Sequence, residues 1–503
     1  MRAFGGELTL ASRDVPPPEG PHARAPSEAI YPGVRCVGLR GLLLPRWIPH
    51  EPGEEAALLE ALGIPSVDEL FVDVPKKARI GRLGVGPGHE EPEVVRLVDR
   101  ILERNKPLSK FASYLGGRVT PRYSPAAVDA IVSRSEFYTS YTPYQPEASQ
   151  GMLRVLFEFQ SLWVELTGLD VANASLYDGA TAAGEALLFC RRIHEGRRFL
   201  VPASLPWEEK SVLRNYASGP GLTVEEIPYD DRTGRLDMEF VRRTAATGDL
   251  FGVLADLPNG FGSIDESVAD LKGVLGEVPL VVAADPLALS VLEPPGNYGA
   301  DVVIGEGQGF GISPSFGGPL LGLFACRKEH VRSAPGRIVG ATRDVDDRPA
   351  FALTLQTREQ HIRRSRATSN ICTNQSLMAL AFVVYATVVG PRGLASLQAT
   401  LAERARTLAS ALGGIEGIQA PRFDAPYLGE FTIELNRGTA AEFLDRLRRK
   451  KILGGHPLAD PRPGADPLPE RILVAPPESV GDKEIQKYAR VARAAVDAVG
   501  RTA

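Results

Sequence analysis

The chain has 503 residues, of which 44% are hydrophobic and 24% charged, so its composition is that of a globular protein rather than a disordered, collagen-like or coiled-coil one. Its 57 basic and 62 acidic residues leave a net charge of −5, which argues against binding nucleic acid through a large basic surface. The four cysteines lie far apart, without a CxxC motif or a Cys/His cluster at zinc spacing. We therefore expect reduced thiols, a cytoplasmic location and no metal site.

The N-terminal part of the chain divides at about residue 45. Residues 1–45 contain 13 prolines and glycines and no sustained periodicity, so they are predicted to be a disordered extension, or the start of the chain is misassigned. Residues 46–115 are predicted to form a helical segment packed on the main body. Its helices are residues 54–62, a second that opens at a capping box formed by Ser66 and Glu69, and a third marked by the apolar residues of 94–102.

The centre of the chain alternates between helices and short apolar runs. Pro146 opens a helix with an apolar stripe from Met152 to Leu166 that Gly168 ends, and a second helix follows residues 178–181. The apolar runs are continuous, as expected for strands buried on both faces of a parallel sheet. They lie at residues 199–201, 222–227, 251–254, 280–284, 302–304 and 320–324. The prediction is an α/β fold, with a large domain at 116–390 and a small α+β domain at 391–503.

The longest apolar stretch, residues 377–389, is shorter than the ~18 residues of a transmembrane helix, so it is predicted to be a buried helix and the membrane is excluded as a partner. GxSxG, HExxH and Walker A motifs are absent, and the glycine-rich segments 84–88 and 305–309 lack the dinucleotide-binding spacing.

Residues 138–147, YTSYTPYQPE, combine three tyrosines, two prolines and a carboxylate directly before a long helix. Prolines restrict the backbone, so Tyr138, Tyr141 and Tyr144 can be held in place as hydroxyl donors beside Gln145 and Glu147. By composition alone, a packed aromatic loop is the favoured explanation of this segment.

This loop and the segments around it resemble the glycine cleavage system P-protein family, from about Arg46 to the C-terminus. Within that family the chain is most similar to the first subunit of the form encoded by two genes. The matching segments are EASQG at 147–151, FEFQ at 157–160, NASLYDGAT at 173–181, ADPL at 284–287, PGNYGAD at 295–301, FGGP at 316–319, LTLQTREQHIRR at 353–364 and ATSNICTNQ at 367–375. Family members begin near a motif like the WIPH of residues 47–50, which leaves residues 1–45 unmatched.

The resemblance implies the aspartate-aminotransferase fold, fold type I of the pyridoxal-phosphate (PLP) enzymes. It places Asp285 where an aspartate pairs with the pyridinium nitrogen, and Gln308 where a catalytic subunit has the Schiff-base lysine. Gln308 has no basic amine and cannot form the imine with which PLP chemistry begins. We therefore expect no catalytic residue on this chain alone, and a relic cofactor pocket formed by Gly179, Thr181, Asp285 and Gln308.

The resemblance further implies a heterotetramer in which a second P-protein subunit carries the PLP. Together the subunits would decarboxylate glycine and pass the aminomethyl group to the lipoyl H-protein. This chain would contribute a substrate or interface pocket made of Tyr138, Tyr141, Tyr144, Gln145 and Glu147. Arg118 and Arg122 stand where the family has glycine or histidine, which bears on the pocket geometry. Two alternatives remain: a diverged non-enzymatic relative that acts as a binding or assembly partner, and a stand-alone PLP enzyme.

Overall fold

The computed structural model describes residues 53–80, 84, 88–458 and 470–499. The chain divides into two compact units, Met1–Ile101 and Leu102–Ala503. The predictions for residues 1–45 and for the motif at 47–50 lie outside the described residues, as does most of the glycine-rich segment 84–88.

In the first unit, helix α1 covers Glu54–Leu62, as predicted, and ends at Gly63 in the left-handed conformation, with φ of 69°. The capping box predicted at Ser66 does not form. Ser66 precedes a short 3-10 turn, Val67–Phe71, and makes no side-chain capping bond, so a single tight turn replaces the expected α-helix. The third helix, α2, spans Glu91–Leu102 and confirms the helical spacing of its apolar residues.

The second unit contains the remaining helices, all of which follow residue 125. They are α3 Ala126–Val132, α4 Ser135–Tyr138, α5 Gln150–Thr167, α6 Gly179–Ile193, α7 Trp207–Ser218, α8 Met238–Ala245, α9 Leu271–Leu275, α10 Gln360–Arg363, α11 Ser376–Gly413, α12 Ala440–Arg449 and α13 Asp482–Val499.

A seven-stranded sheet forms the centre of the second unit, with strand order β2-β8-β7-β6-β5-β3-β4. Strands β4, β3, β5, β6 and β7 are parallel, whereas β8 runs antiparallel to both of its neighbours, β7 and the edge strand β2. The six predicted apolar runs all fall in this sheet, although the last strand begins two residues later than predicted. The strands are β2 Val171–Ala172, β3 Arg198–Pro202, β4 Thr223–Ile227, β5 Leu250–Leu257, β6 Leu280–Ala284, β7 Val302–Glu306 and β8 Gly322–Cys326.

Two smaller groups of strands flank this sheet. One is a hairpin of β9 Ile338–Arg343 and β10 Pro349–Thr354. The other is an antiparallel sheet near the C-terminus with order β11-β12-β15-β14, beside a short parallel pair of β1 and β13. These strands are β1 Ala112–Ser113, β11 Ile418–Gln419, β12 Phe431–Leu435, β13 Ile452–Leu453, β14 His456–Pro457 and β15 Arg471–Val474.

Helices cover both faces of the central sheet, so its parallel strands are buried on both sides as their continuous apolar sequence predicts. Residues of α5 and α11 form one core with β5 and β6, and residues of α6 and α7 form another core with β3, β5 and β7. Within α5, Met152, Phe159 and Trp163 are at most 5% exposed.

Helix α11 is the one helix among the described residues that is long and apolar enough to cross a membrane, by length and composition only. Residues 379–386 of its apolar half are all buried inside the protein, which identifies them as part of a core helix. This confirms most of the buried helix predicted for 377–389, but Thr387 and Val388 at its end are exposed. The helix bends at Gly390, whose φ of 69° and ψ of 169° are not helical, directly before Pro391.

Candidate functional site

The carboxyl ends of β5, β6 and β7 lie at one edge of the sheet and carry Asp256, Asp285 and Glu306, respectively. Helix α6 begins at the same edge of the sheet, where its first residue, Gly179, contacts Glu306. Asp178 caps this helix: its side chain accepts a hydrogen bond from the Thr181 N–H at 2.8 Å, and the Thr181 hydroxyl accepts one from the Asp178 N–H. Polar and charged groups from distant parts of the chain therefore meet at this edge of the sheet.

Glu306 bonds to the N-terminus of α6. One of its carboxylate oxygens accepts the Gly179 N–H at 2.9 Å, and the other accepts the N–H groups of Gln308 and Leu321, each at 2.9 Å. Burial raises the pKa of Glu306 to about 7, although the three N–H donors act in the opposite direction. An anion of the protein itself thus occupies the position where helix N-termini bind phosphate.

Gln308 is completely buried, and both the oxygen and the nitrogen of its side-chain amide are hydrogen-bonded. The amide oxygen accepts the Thr120 N–H at 2.9 Å, and the amide nitrogen donates to the carbonyl of Ile312. Gln308 therefore links the segment before α3 to the loop after β7, and no group of this side chain remains for covalent chemistry.

Asp285 faces a cation of the same chain. The Arg122 guanidinium lies 3.9 Å from one carboxylate oxygen of Asp285, and the Leu287 N–H donates to the other at 2.8 Å. Arg122 also packs against Gly309, since a Cβ on that glycine would lie 3.2 Å from the Arg122 Nε. Arg122, Asp285 and Gly309 line a cavity of about 70 Å³, far smaller than the ~300–1,000 Å³ of typical small-molecule sites.

Arg118 forms ion pairs with two buried carboxylates, Glu209 and Asp256, at this edge of the sheet. Its guanidinium donates to Glu209 at 2.9 Å and lies 3.6 Å from Asp256, which is 2% exposed. Burial raises the pKa of Asp256 to about 7, against the opposing effect of Arg118. Arg118 and Glu209, together with Gly179, Ala180 and Glu306, line a larger cavity of about 870 Å³.

These residues do not fit a PLP molecule held by this chain. The side chain at the lysine position is an amide whose oxygen and nitrogen are both hydrogen-bonded, and a carboxylate occupies the N-terminus of the helix that would bind the phosphate. The aspartate expected to face a pyridinium nitrogen already faces Arg122. Among the described residues, no group of three or more His, Cys, Asp or Glu side chains is arranged to hold a metal ion.

The tyrosine loop lies apart from this buried cluster, and none of its residues lines either cavity. Tyr138 and Tyr141 are 69% and 74% exposed, Tyr144 is half exposed, and Gln145 and Glu147 are exposed. The structure therefore separates the two groups of predicted site residues. Gly179, Thr181, Asp285 and Gln308 lie at the carboxyl-terminal edge of the sheet, where Gln308 is buried and the other three are partly exposed, whereas the loop residues face outwards.

Buried Arg337 fixes one end of the tyrosine loop, a role that the sequence did not reveal. Its guanidinium donates to the Tyr144 phenol oxygen at 2.9 Å and to the Thr142 hydroxyl at 3.2 Å, and it lies 3.6 Å from the Glu359 carboxylate. A fourth contact, at 3.3 Å, joins it to Asn374. Arg337 belongs to no recognisable motif, and only the fold brings it to the loop.

Comparison with known proteins shows the family. The family model for the glycine cleavage system P-protein matches residues 45–452. A probable glycine dehydrogenase (decarboxylating) subunit 1 from Geobacillus kaustophilus is 42% identical over 451 residues, which are 89% of this chain and 98% of that protein. A protein of the same description from Desulfitobacterium hafniense is 41% identical over 415 residues, covering 81% and 91%.

Solved structures agree with these relatives. The crystal structure of glycine decarboxylase (P-protein) of the glycine cleavage system, in inhibitor-bound form, matches with a TM-score of 0.78 and 33% identity, over 89% of this chain and 99% of that one. An aspartate aminotransferase from Thermus thermophilus matches with a TM-score of 0.51 and 18% identity, over 77% and 99%, and shows the fold alone. The chain has the fold of the PLP-dependent aminotransferases, as the sequence predicted.

Proposed function

The chain belongs to the glycine cleavage system P-protein family, and from this membership we propose that it is the subunit without cofactor of a two-subunit glycine dehydrogenase (decarboxylating). In this proposal a second, lysine-bearing subunit holds the PLP, which supplies the electron sink for decarboxylation. The two subunits form a cytoplasmic heterotetramer that decarboxylates glycine and transfers the aminomethyl group to the lipoyl H-protein.

One observation supports the assignment of the cofactor to the partner subunit. Gln308, at the position of the lysine, is buried and bonded through both ends of its amide, so this chain has no amine there with which to form a Schiff base. The chemistry of the complex therefore requires a partner that contributes the cofactor.

The tyrosine loop is this chain's contribution to the active site. The phenol oxygen of Tyr144 accepts a hydrogen bond from Arg337, so the phenol O–H remains free to donate to another group. Because the donor to the oxygen is a cation, it polarises the O–H and makes it a stronger hydrogen-bond donor. Tyr141 and Glu147 are exposed beside it and can approach glycine or the partner's cofactor only from outside this chain. A pocket between unlike subunits meets that requirement, with Tyr138 and Gln145 at its border.

The test is glycine–bicarbonate exchange by a complex reconstituted from this chain and its lysine-bearing partner. Tyr141→Phe and Tyr144→Phe each remove one hydroxyl and are expected to lower exchange about tenfold or more, the loss of ~1.4 kcal/mol of transition-state stabilisation. Tyr123→Phe is the matched control, since Tyr123 is 71% exposed and lies outside the loop. Unchanged exchange in both loop variants, with the complex still assembled, would contradict the proposed role of the tyrosines.

A further inference from the structure

At the carboxyl-terminal edge of the sheet, two charged side chains of this chain lie where a bound PLP would place its own charges. PLP bound in a fold of this type presents an anionic phosphate to a helix N-terminus and a cationic ring nitrogen to an aspartate. In this chain, the carboxylate of Glu306 lies 2.9 Å from the first N–H of α6, and the guanidinium of Arg122 lies 3.9 Å from Asp285. Each charge of the cofactor has a counterpart of the same sign on a side chain.

We propose that Glu306 and Arg122 replace the phosphate and the pyridinium nitrogen of PLP, so that the chain fills its own cofactor site and keeps the shape of the site without a ligand. The inference rests on the proposed function, in which this subunit carries no PLP. It goes beyond that function because it assigns the cofactor's two electrostatic roles to particular side chains of this chain.

The anionic half of the replacement has three hydrogen bonds. Glu306 is the acceptor for the N–H groups of Gly179, Gln308 and Leu321, and these donors come from three separate segments of the chain. An N–H that is buried without an acceptor costs ~1–3 kcal/mol. The carboxylate therefore joins α6, the end of β7 and the start of β8 in the way that a phosphate bound at the same donors would.

The cationic half closes the space for the ring. Arg122 lies against Gly309 and beside Asp285, and the cavity that these residues line measures about 70 Å³. A pyridine ring does not fit this space unless the guanidinium moves away. Restoring the lysine alone is consequently insufficient to restore cofactor binding, because the phosphate and ring positions stay occupied.

The helix N-terminus nevertheless opens onto a space that an anion can enter. Gly179, Ala180 and Glu306 all line the cavity of about 870 Å³. Removal of the Glu306 carboxylate exposes the Gly179 N–H to this cavity, so that a small anion from solution can take the place of the side chain.

Anion rescue of the isolated chain tests the proposal, at about pH 8, where Glu306 is ionised. Glu306→Ala is expected to lower the melting temperature, and added inorganic phosphate is expected to restore much of the loss in a saturable manner, with no such effect on the wild type. Asp265→Ala is the matched control: this buried carboxylate also accepts two backbone N–H groups, from Leu236 and Ser267, but lines neither cavity. Phosphate is expected to leave that variant unrescued.

Two results of the anion-rescue experiment would overturn the proposal. Equal stabilisation of the wild type, Glu306→Ala and Asp265→Ala by phosphate would show a general salt effect. A Glu306→Ala variant with the melting temperature of the wild type would show that the carboxylate does not hold the three segments together. A second arm incubates Gln308→Lys with PLP and borohydride and maps the product. We expect no reduced adduct at position 308, and an adduct there would show that the site is open. Neither arm uses the partner or the exchange reaction, so failure here is distinguishable from failure of the proposed function.

Discussion

Arg337 holds Tyr144 by two contacts: its guanidinium donates a hydrogen bond to the phenol oxygen at 2.9 Å and lies over the ring at 5.1 Å from the centroid. Arg337 is 2% exposed whereas Tyr144 is 44% exposed. A buried cation thus orients a residue at the surface, and the positions of the exposed tyrosine loop depend on the interior of the protein.

Arg337→Met is expected to destabilise the chain by about 3–5 kcal/mol, because it removes the guanidinium that lies beside the buried carboxylate of Glu359. Tyr144→Phe removes only one partner of Arg337 and is expected to cost about 1 kcal/mol. Urea unfolding of the isolated chain measures both values. A Tyr144→Phe variant that loses as much stability as Arg337→Met would show that the phenol has a structural role and not a positional one.

The stability of the chain is expected to depend on pH through Asp256. Burial raises the pKa of this carboxyl to about 7, so the native protein holds its proton between about pH 4 and pH 7, where the unfolded chain has already released it. The free energy of unfolding therefore falls as pH rises through this window and levels off above it. This difference between the native and unfolded pKa limits the change in the free energy of unfolding to roughly 4 kcal/mol.

Asp256→Asn removes this titration and keeps the shape of the side chain. Urea unfolding at about pH 5 and about pH 8 is expected to show a smaller loss of stability for the variant than for the wild type. Glu306 titrates in both proteins and cancels in the comparison. Equal losses would show that Asp256 is ionised throughout, with Arg118 as its counter-ion at 3.6 Å.

Gly260 lies too close to the backbone of a neighbouring loop to be replaced. A Cβ at this position would lie 1.9 Å from the carbonyl oxygen of Ser204, so Gly260→Ala forces two backbone segments apart and is expected to prevent correct folding or to cost several kcal/mol. Gly273→Ala is the control, because no atom lies within 4 Å of its Cβ and the residue is inside α9. There, alanine is expected to gain up to about 1 kcal/mol. Thermal unfolding compares the variants, and a wild-type melting temperature for Gly260→Ala would refute this packing.

The cysteines are expected to differ sharply in reactivity. Cys190 and Cys326 are at most 1% exposed, and burial raises the pKa of both thiols, whereas Cys372 is exposed. Cys36 lies outside the described residues, so the experiment uses a Cys36→Ser background. A thiol reagent is expected to label one cysteine in the native isolated chain and three after unfolding. Rapid labelling of a second thiol in the native chain would contradict the buried positions.

The parts of the structure that the sequence predicted depend on local periodicity and local chemistry. The continuous apolar runs placed the strands of the central sheet, because a strand buried on both faces admits few polar residues. Residues 178–181 predicted the start of α6, since Asp178 and Thr181 cap it within four positions. The local rule failed at Ser66, where a 3-10 turn formed and the hydroxyl made no capping bond.

The residues that the sequence missed act through contacts between distant segments. Glu306 stands in a glycine-rich segment that lacks the dinucleotide-binding spacing and drew no attention to this residue, and its partner Gly179 lies 127 positions away. Arg337 lies 193 positions from Tyr144. Neither residue type nor spacing signals such pairs, since each depends on which strands are neighbours and where each strand ends.

From the sequence alone came the family, the largely parallel sheet and the absence of an amine at Gln308, because these follow from residue identity and from patterns within about twenty positions. Only the tertiary structure decided which side chains lie against the residues of the former cofactor site and of the tyrosine loop. It brought Glu306 to the N-terminus of α6, Arg122 to Asp285 and Arg337 to Tyr144. The physical reason is that a charge can be buried only against a partner, and the fold, not the order of residues, determines which partner is within reach.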